Sequence, residues 1–146
     1  MAKTRLLKEL KSKNEEFSLD IVNNDLMHWQ ASINPADDSP YAGGVFMLDF
    51  RVPDQYPFMP PRVRFNTRIF HPNIHFESGE ICLDVLKNDW SPAWSLESIC
   101  RAILALLSAP NADSPLNCDA GNMIRAGDMK AYNSMARMYT VEFAFP

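Results

Sequence analysis

Residues 17–34 read FSLDIVNNDLMHWQASIN, and this stretch decides the fold class. Apolar and polar residues alternate in FSLDIV (17–22) and again in MHWQASIN (27–34), which predicts two β-strands. The residues between them, Asn23-Asn24-Asp25, favour a tight turn because Asn and Asp tolerate turn backbone angles. The stretch therefore predicts two neighbouring strands joined by a short connection.

Two more strands are predicted further along the chain. GGVFMLDFRV (43–52) places Phe46, Leu48 and Phe50 on one face and polar or smaller residues on the other. PRVRF (61–65) predicts a short fourth strand. Four strands in sequence, separated by short connections, predict an antiparallel meander.

A helix is predicted before this meander and an irregular segment after it. Residues 3–15 place leucines at helical spacing with lysines on the opposite side, which is typical of an amphipathic helix. Prolines then recur, and residues 66–94 predict a long irregular segment with short extended pieces. A segment of that length in a compact domain is usually functional.

The last third of the chain predicts helices. Ser95 is placed to cap a helix that is apolar nearly all round, with Ser98 at the third helical position. Two further helices are predicted from about Leu116 to Phe145, broken near Gly127, with Asp128 as the second cap. This order predicts an α+β fold in one domain over residues 1–146.

The composition is that of a globular protein. Of the 146 residues, 47% are hydrophobic and 22% are charged, which excludes disordered and collagen-like classes. No apolar run approaches the roughly 20 residues of a membrane span, and the N-terminal segment lacks the apolar run of a secretory signal. Three cysteines without a CxxC pair argue against a disulfide framework or a four-cysteine zinc site. We expect an intracellular protein with free thiols and no membrane span.

The charges are unevenly distributed. The first 13 residues carry five basic residues against one acidic residue, and the other 133 carry nine basic and seventeen acidic residues. This distribution lacks the basic footprint of a nucleic-acid-binding protein. A basic helix on an acidic body indicates either docking to an acidic protein surface or a merely solvated helix face.

The chemistry is expected in residues 71–95, HPNIHFESGEICLDVLKNDWSPAWS. Cys82 follows a Gly-Glu turn, and its sequence context alone leaves both a reachable nucleophile and a buried structural thiol open. His71, His75 and Cys82 also have spacings that a zinc site or a cysteine hydrolase would use. A fourth zinc ligand and a hydrolase signature are not evident. Cys100 lies in an apolar helix and is expected in the core.

The same segment resembles the active-site region of ubiquitin-conjugating enzymes, through HPNI, GEICLDVL and WSPAWSL. Further motifs occur in the order and spacing of that family: HW (28–29), SPYAGGVF (39–46), YPFMPPRVRF (56–65) and APNADSPLN (109–117). The resemblance covers essentially the whole chain. It implies the ubiquitin-conjugating fold, with an N-terminal helix, a four-stranded antiparallel meander, an active-site loop and C-terminal helices.

The resemblance also implies a mechanism. Cys82 accepts ubiquitin from a ubiquitin-activating enzyme as a thioester and passes it, with a ring-type ligase, to an acceptor protein. Asn73 is implied to support the active-site loop and the oxyanion, or only to hold the loop. Asp84 is implied to orient the acceptor or raise its nucleophilicity, the alternative being a merely solvated loop carboxylate. His71 and Pro72 are implied to be structural. No metal or organic cofactor is implied, because the activating enzyme consumes the ATP.

One position departs from the family pattern. Many relatives have an aspartate in the loop opposite the cysteine, where this chain has Ser114 beside Asp113. An uncharged serine does not help to deprotonate a lysine acceptor, whose reference pKa is about 10.4, unless it is phosphorylated. The departure predicts that lysine transfer is weaker, that Asp113 substitutes, or that the acceptor ionises more easily.

Two partner surfaces are implied by the resemblance. The residues that correspond to the ligase-binding loops of relatives are Phe58, Ser91, Pro92, Ala93 and Trp94. The alternative is that Phe58 and Trp94 belong to the core. Arg5 and Lys8 match the helix face that meets the activating enzyme.

The C-terminal run DSPLNCDAGNMIRAGDMKAYNSMARMYT is most similar to the subfamily that ubiquitinates peroxisomal import receptors. That subfamily works at the cytosolic face of the peroxisome, held by a membrane-anchored adaptor. The alternatives are a general cytosolic enzyme that conjugates ubiquitin or a ubiquitin-like protein, and an inactive scaffold. The retained Cys82 and Asn73 argue against a scaffold.

Overall fold

The computed structural model describes residues 1–12 and 14–146. Its helices and strands, in chain order, are α1 (Ala2–Lys11), β1 (Ser18–Val22), β2 (Asp25–Ile33), β3 (Phe46–Arg51), β4 (Arg62–Phe65), α2 (Leu96–Ser108), α3 (Cys118–Arg125) and α4 (Met129–Phe143). One turn of 3₁₀ helix, Asp84–Leu86, lies in the long segment between β4 and α2. This order confirms the predicted α+β fold.

The four strands form one antiparallel sheet in the order β1-β2-β3-β4. Cross-strand pairs such as Trp29 with Phe50 and Phe50 with Val63 bring the large apolar side chains to one face. Alternation along β3 and β4 leaves Arg51, Arg62 and Arg64 exposed. The sheet therefore has an apolar inner face and a charged outer face.

Helix α2 packs one face into the core. Ser95 caps this helix, as predicted: its hydroxyl accepts a hydrogen bond from Ser98 N–H. The Ser98 hydroxyl in turn accepts one from Ser95 N–H, which completes a capping box. The inward residues of α2 are fully or almost fully buried: Leu96, Ile99, Cys100, Ile103 and Leu107. The other side of this helix, predicted to be apolar nearly all round, exposes Arg101 and Ala105.

Several predicted bounds differ from the structure by a few residues, and those of α1 and β3 differ for local reasons. Helix α1 ends at Lys11 rather than at residue 15, because the Asn14 side chain accepts hydrogen bonds from the N–H groups of Glu16 and Phe17 and forms a turn. Lys13, part of the predicted basic face, lies outside the described residues. Strand β3 begins at Phe46, because Gly43 has a positive φ of 82° that a strand does not accept.

The C-terminal helices are as predicted. Gly127 has a φ of 75° and separates α3 from α4, and the Asp128 side chain accepts a hydrogen bond from Ala131 N–H at the start of α4. In the described part of the chain, no helix combines the length and the apolar character needed to cross a membrane.

Candidate active site

Cys82 lies at the end of a folded-back loop. The chain turns between His75 and Glu80, where His75 N–H donates to the Glu80 carbonyl at 2.8 Å and Gly79 N–H donates to the His75 carbonyl at 2.9 Å. Beyond this turn, Cys82 N–H donates to the Asn73 carbonyl at 2.8 Å. The Cys82 residue is partly exposed, so its thiol belongs to a surface segment with a fixed backbone.

Gly79 allows this loop to lie against the edge of β4. Its φ is 76°, and a Cβ atom built on it would lie 1.9 Å from the carbonyl oxygen of Phe65. Phe65 N–H donates to the Gly79 carbonyl at 2.9 Å. Only glycine fits this close approach without moving the backbone.

His71 is a buried, neutral part of the same loop. Its Nε2–H donates to the Leu106 carbonyl at 2.9 Å, and its Nδ1 accepts from Asn73 N–H at 3.1 Å. Burial lowers the pKa of His71 to about 4, while the hydrogen bond to Leu106 acts in the opposite direction. Both ring nitrogens are engaged, as a structural histidine requires.

The geometry supports neither a zinc site nor a cysteine hydrolase at His71 and His75. The Nδ1 atom of His75 accepts from the N–H of Ser78 at 3.1 Å, so it faces the backbone of its own turn. Among residues 1–12 and 14–146, no group of three or more His, Cys, Asp or Glu side chains is placed to hold a metal ion.

Asn73 joins the segment that carries Cys82 (residues 75–82, the cysteine segment) to the loop of residues 109–117. Its side-chain Nδ2–H donates to the Asn111 carbonyl at 2.8 Å, and its Oδ1 accepts from Asn111 N–H at 2.9 Å. The carbonyl of neighbouring Pro72 accepts from Leu116 and Asn117 N–H at 2.8 and 3.1 Å. This geometry favours the loop-holding role for Asn73, and its role at an oxyanion stays a prediction.

The two other candidate catalytic residues lie on exposed backbone near these contacts. Asp84 is exposed and begins the 3₁₀ turn, and its carbonyl accepts from Lys87 and Asp89 N–H. Ser114 is exposed on the loop held by Asn73 and has a positive φ of 53°. Serine rarely adopts this backbone conformation, whereas Asn and Asp adopt it more often.

The other cysteines differ from Cys82 in their surroundings. Cys100 is fully buried on α2, and this burial raises the pKa of its thiol to about 12. Its predicted core position is confirmed. Cys118 is exposed at the first position of α3.

The predicted ligase-binding residues lie on two loops that contact each other. Phe58 has 63% of its surface exposed, and Pro92 and Ala93 are also exposed, whereas Ser91 and Trp94 are partly buried. Trp90 Nε1–H donates to the Pro57 carbonyl at 2.9 Å and links the loops. The exposed apolar side chains are thus held on connected backbone.

Helix α1 is tied to the same loops. Arg5 donates to the carbonyls of Pro92 and Trp94 at 3.0 and 2.6 Å and pairs with Glu9 at 3.3 Å. Glu9 also accepts from the Tyr56 hydroxyl at 2.6 Å and from Leu96 N–H at 2.8 Å. Arg5 therefore has an internal role besides the one predicted, whereas Lys8 is exposed.

Sequence reasoning missed Asn111, Gly79, Glu9 and Trp90 as parts of this site. Asn111 carried a local signal, because its side chain accepts from Asp113 N–H two residues later, as Asn does in turns. Glu9 has the helical spacing of an ion pair with Arg5, but nothing local indicated its bonds to Tyr56 and Leu96, 47 and 87 residues away, or the bond of Trp90 to Pro57, 33 residues away.

Comparison with known proteins identifies the family. Residues 4–140 match the family model described as "Ubiquitin-conjugating enzyme". The chain is 52% identical to Protein PEROXIN-4 of Arabidopsis thaliana, with 99% of this chain and 96% of the relative covered. It is 57% identical to "Ubiquitin-conjugating enzyme E2 pex4" of Dictyostelium discoideum, with 93% and 95% covered.

Solved structures have the same fold. A Toxoplasma gondii ubiquitin conjugating enzyme E2 domain matches with a TM-score of 0.91 and 36% identity over 99% of each chain. The H. polymorpha ubiquitin conjugating enzyme Pex4p, solved in complex with the soluble domain of Pex22p, matches with a TM-score of 0.92 and 30% identity over 99% of each chain. With a partly exposed cysteine on a loop fixed by Asn73, and relatives this similar over nearly their full length, the chain belongs to the ubiquitin-conjugating enzyme family.

Proposed function

We propose that Cys82 is the residue on which this ubiquitin-conjugating enzyme carries ubiquitin. The observation that carries the proposal is that Cys82 is partly exposed on a loop whose backbone is bonded to Asn73, whereas Cys100 is sealed in the core and Cys118 lies outside this loop, on α3. A thiolate is the reactive form of cysteine, and Cys100 is both inaccessible and held as a thiol.

The reaction is two successive acyl transfers. The Cys82 thiolate attacks the thioester carbonyl of ubiquitin on the activating enzyme, a new C–S bond forms, and the activating enzyme's thiolate leaves. An acceptor amine or thiol then attacks the Cys82 thioester and loses its proton to solvent or a nearby base, and the Cys82 thiolate leaves. We assign Asn73 to holding the two loops around the thioester, and Asp84 and Ser114 to the surroundings of the acceptor.

Loading on a gel tests the cysteine. The chain is incubated with ubiquitin-activating enzyme, ATP and ubiquitin, and the products are separated with and without reductant. The parent should give a reductant-sensitive adduct, Cys82→Ser a reductant-resistant oxyester, and Cys82→Ala no adduct. Cys118→Ser is the matched control, because it removes the other exposed thiol and should load as the parent does. Loading of Cys82→Ala would contradict the assignment. A parent that loads neither ubiquitin nor any of a panel of ubiquitin-like proteins, each with its own activating enzyme, would favour a scaffold.

We propose further that the acceptor is a peroxisomal import receptor, modified at the cytosolic face of the peroxisome. The support is the similarity to Protein PEROXIN-4 and to Pex4p, each over nearly the full length of both chains. By the same likeness, an adaptor similar to Pex22p would hold this chain at the membrane.

Cells of the source species that lack this chain test the peroxisomal role. A fluorescent peroxisomal matrix marker should become cytosolic, the parent should restore its import, and Cys82→Ser should not. Normal marker import in cells without the chain would favour a general cytosolic enzyme instead.

A further inference from the structure

A groove of about 670 Å³ runs along the outer side of the sheet and ends beside the cysteine segment. One wall is formed by β4 and the residues before it, from Met59 to Arg64, together with Asp49 and Arg51 of β3. The other wall is formed by Ser78, Glu80, Ile81, Leu86 and Lys87. Ile81 directly precedes Cys82 in the chain, so the groove adjoins the segment that carries the thiol.

The groove has a basic rim. Arg51, Arg62, Arg64 and Lys87 line it, against Asp49 and Glu80 as its acidic residues. Asp49 is only 6% exposed and accepts hydrogen bonds from His28 at 2.6 Å and Arg51 at 3.1 Å. Its carboxylate is therefore already paired within the protein and contributes little negative charge to the rim.

The remaining basic side chains face solvent. Arg62, Arg64 and Lys87 are exposed, and the salt bridges of the described residues include none of the three. Glu80, on the cysteine segment, is the cross-strand neighbour of Arg64. Its single negative charge is outnumbered by the three positive charges of Arg62, Arg64 and Lys87. The open rim is therefore positive on a protein whose formal net charge is -4.

Between the charged residues the lining is apolar, with Met59, Pro60, Pro61, Val63, Ile81 and Leu86. An extended peptide segment fits this groove if an apolar side chain contacts the apolar lining and acidic side chains contact the basic rim. Complementary charge along such a groove selects partners and speeds their encounter.

We propose that this groove binds an acidic, extended segment of the acceptor protein and so selects which acceptor residue reaches the thioester on Cys82. The proposal rests on the proposed function of Cys82. It assigns acceptor specificity to Arg62, Arg64 and Lys87, which act as positioning residues because they orient the acceptor and do not touch the reacting atoms.

Single-turnover transfer without a ligase tests the groove. The chain is loaded with ubiquitin, the activating enzyme is stopped by removal of Mg²⁺ with EDTA, and a peptide with one central acceptor residue is added. One peptide has three glutamates beside the acceptor and the matched peptide has three glutamines. Both are made with lysine and with cysteine as the acceptor. The second-order rate constant should be about three- to tenfold higher for the acidic peptide at low salt. This preference should shrink in 0.5 M salt, where the Debye length is only about 4 Å.

Charge reversal identifies where the preference arises. In Arg62→Glu/Arg64→Glu the ratio of acidic to neutral rate constants should fall to about one or below. The ratio in the control Lys130→Glu, an exposed residue of α4, should stay at the parent value. Arg62→Gln/Arg64→Gln, which adds no acidic charge, should lower the ratio in the same direction and covers the case in which the reversed variant folds poorly.

Three results would overturn the proposal. Equal rate constants for both peptides with the parent would show no acidic selection, and a ratio unchanged by both arginine double variants would place that selection elsewhere. A ratio of one together with a concentration-dependent dimer that Arg62→Glu/Arg64→Glu dissolves would show that a second copy occupies the groove. Failure of the parent to load with ubiquitin would instead overturn the proposed function, because loading precedes the peptide step.

Discussion

The side chain of Asn73 and the backbone of Asn111 exchange two hydrogen bonds, of 2.8 and 2.9 Å, across 38 residues of sequence. The Asn73 backbone carbonyl meanwhile accepts from Cys82 N–H. One residue thus fixes both the segment that carries the thiol and the loop that carries Ser114.

We expect Asn73→Ala to lower the free energy of unfolding by about 1–3 kcal/mol, because it leaves the Asn111 N–H and carbonyl without partners. Discharge of ubiquitin from Cys82 should slow by roughly 10- to 100-fold as the loops shift. Hydrogen exchange at Asn111 N–H should accelerate in this variant. Asn133→Ala on the exposed side of α4 is the control. Slow discharge with unchanged exchange at Asn111 would instead indicate that Asn73 acts at the oxyanion alone.

Gly79 and Gly127 form a matched pair for testing how closely the cysteine segment approaches β4. Both have a positive φ, of 76° and 75°, but only Gly79 has a backbone atom where a Cβ would lie. Gly127→Ala should cost about 1 kcal/mol of unfolding free energy from backbone strain. Gly79→Ala should cost about 2–4 kcal/mol and slow thioester formation, because the clash adds to the strain. If chemical denaturation gives equal losses of unfolding free energy for Gly79→Ala and Gly127→Ala, the cysteine segment moves away from β4 without cost.

Burial of His71 predicts an acid-sensitive fold. Its pKa is about 4 in the folded chain and about 6.5 when unfolded, so the unfolded state binds more protons between these values. This contribution to stability is complete above pH 6.5 and is lost as the pH falls toward 4, to a total of roughly 3 kcal/mol.

Denaturant unfolding from pH 7.5 to 4 measures this loss. His71→Gln retains an N–H for the Leu106 carbonyl but does not titrate, so its stability should be lower at pH 7.5 and should change less over the same range. A variant with the same pH slope as the parent would assign the acid sensitivity to other groups.

The contacts of Glu9 with Tyr56, Leu96 and Arg5 predict that one substitution affects both stability and ligase binding. In Glu9→Ala the Tyr56 hydroxyl and Leu96 N–H lose their acceptor, which should cost about 2–3 kcal/mol of unfolding free energy. Because Arg5 also loses its ion pair, the loop with Pro92 and Trp94 should loosen and bind a ring-type ligase more weakly in calorimetry. Glu142→Ala, an exposed residue of α4, should change neither quantity. Full ligase affinity in Glu9→Ala would separate the two effects.

The sequence predicted the order of the elements, which the structure confirms, and a candidate segment for the active site, but not the contacts that hold that segment in place. The period of apolar residues and the positions of Ser95, Gly127 and Asp128 are local, and they suffice to order the helices and strands. The bonds of Asn73 to Asn111 and of Arg5 to Trp94 join residues 38 and 89 positions apart. Such pairs depend on how whole elements pack, and no local pattern specifies them.

The uncharged side chain of Ser114 predicts that the enzyme favours a thiol acceptor over a lysine. It is exposed with a φ of 53°, a conformation that Asp and Asn also tolerate, so Ser114→Asp and Ser114→Asn form a matched pair that differs in charge. Ser114→Asp should raise discharge to free lysine by about three- to tenfold, because a carboxylate favours loss of a proton from an amine whose pKa is about 10.4. Discharge to free cysteine should change less than about twofold, since a few per cent of that thiol is already ionised at pH 7. Equal lysine rates for the parent and both variants would remove charge at this position as the cause.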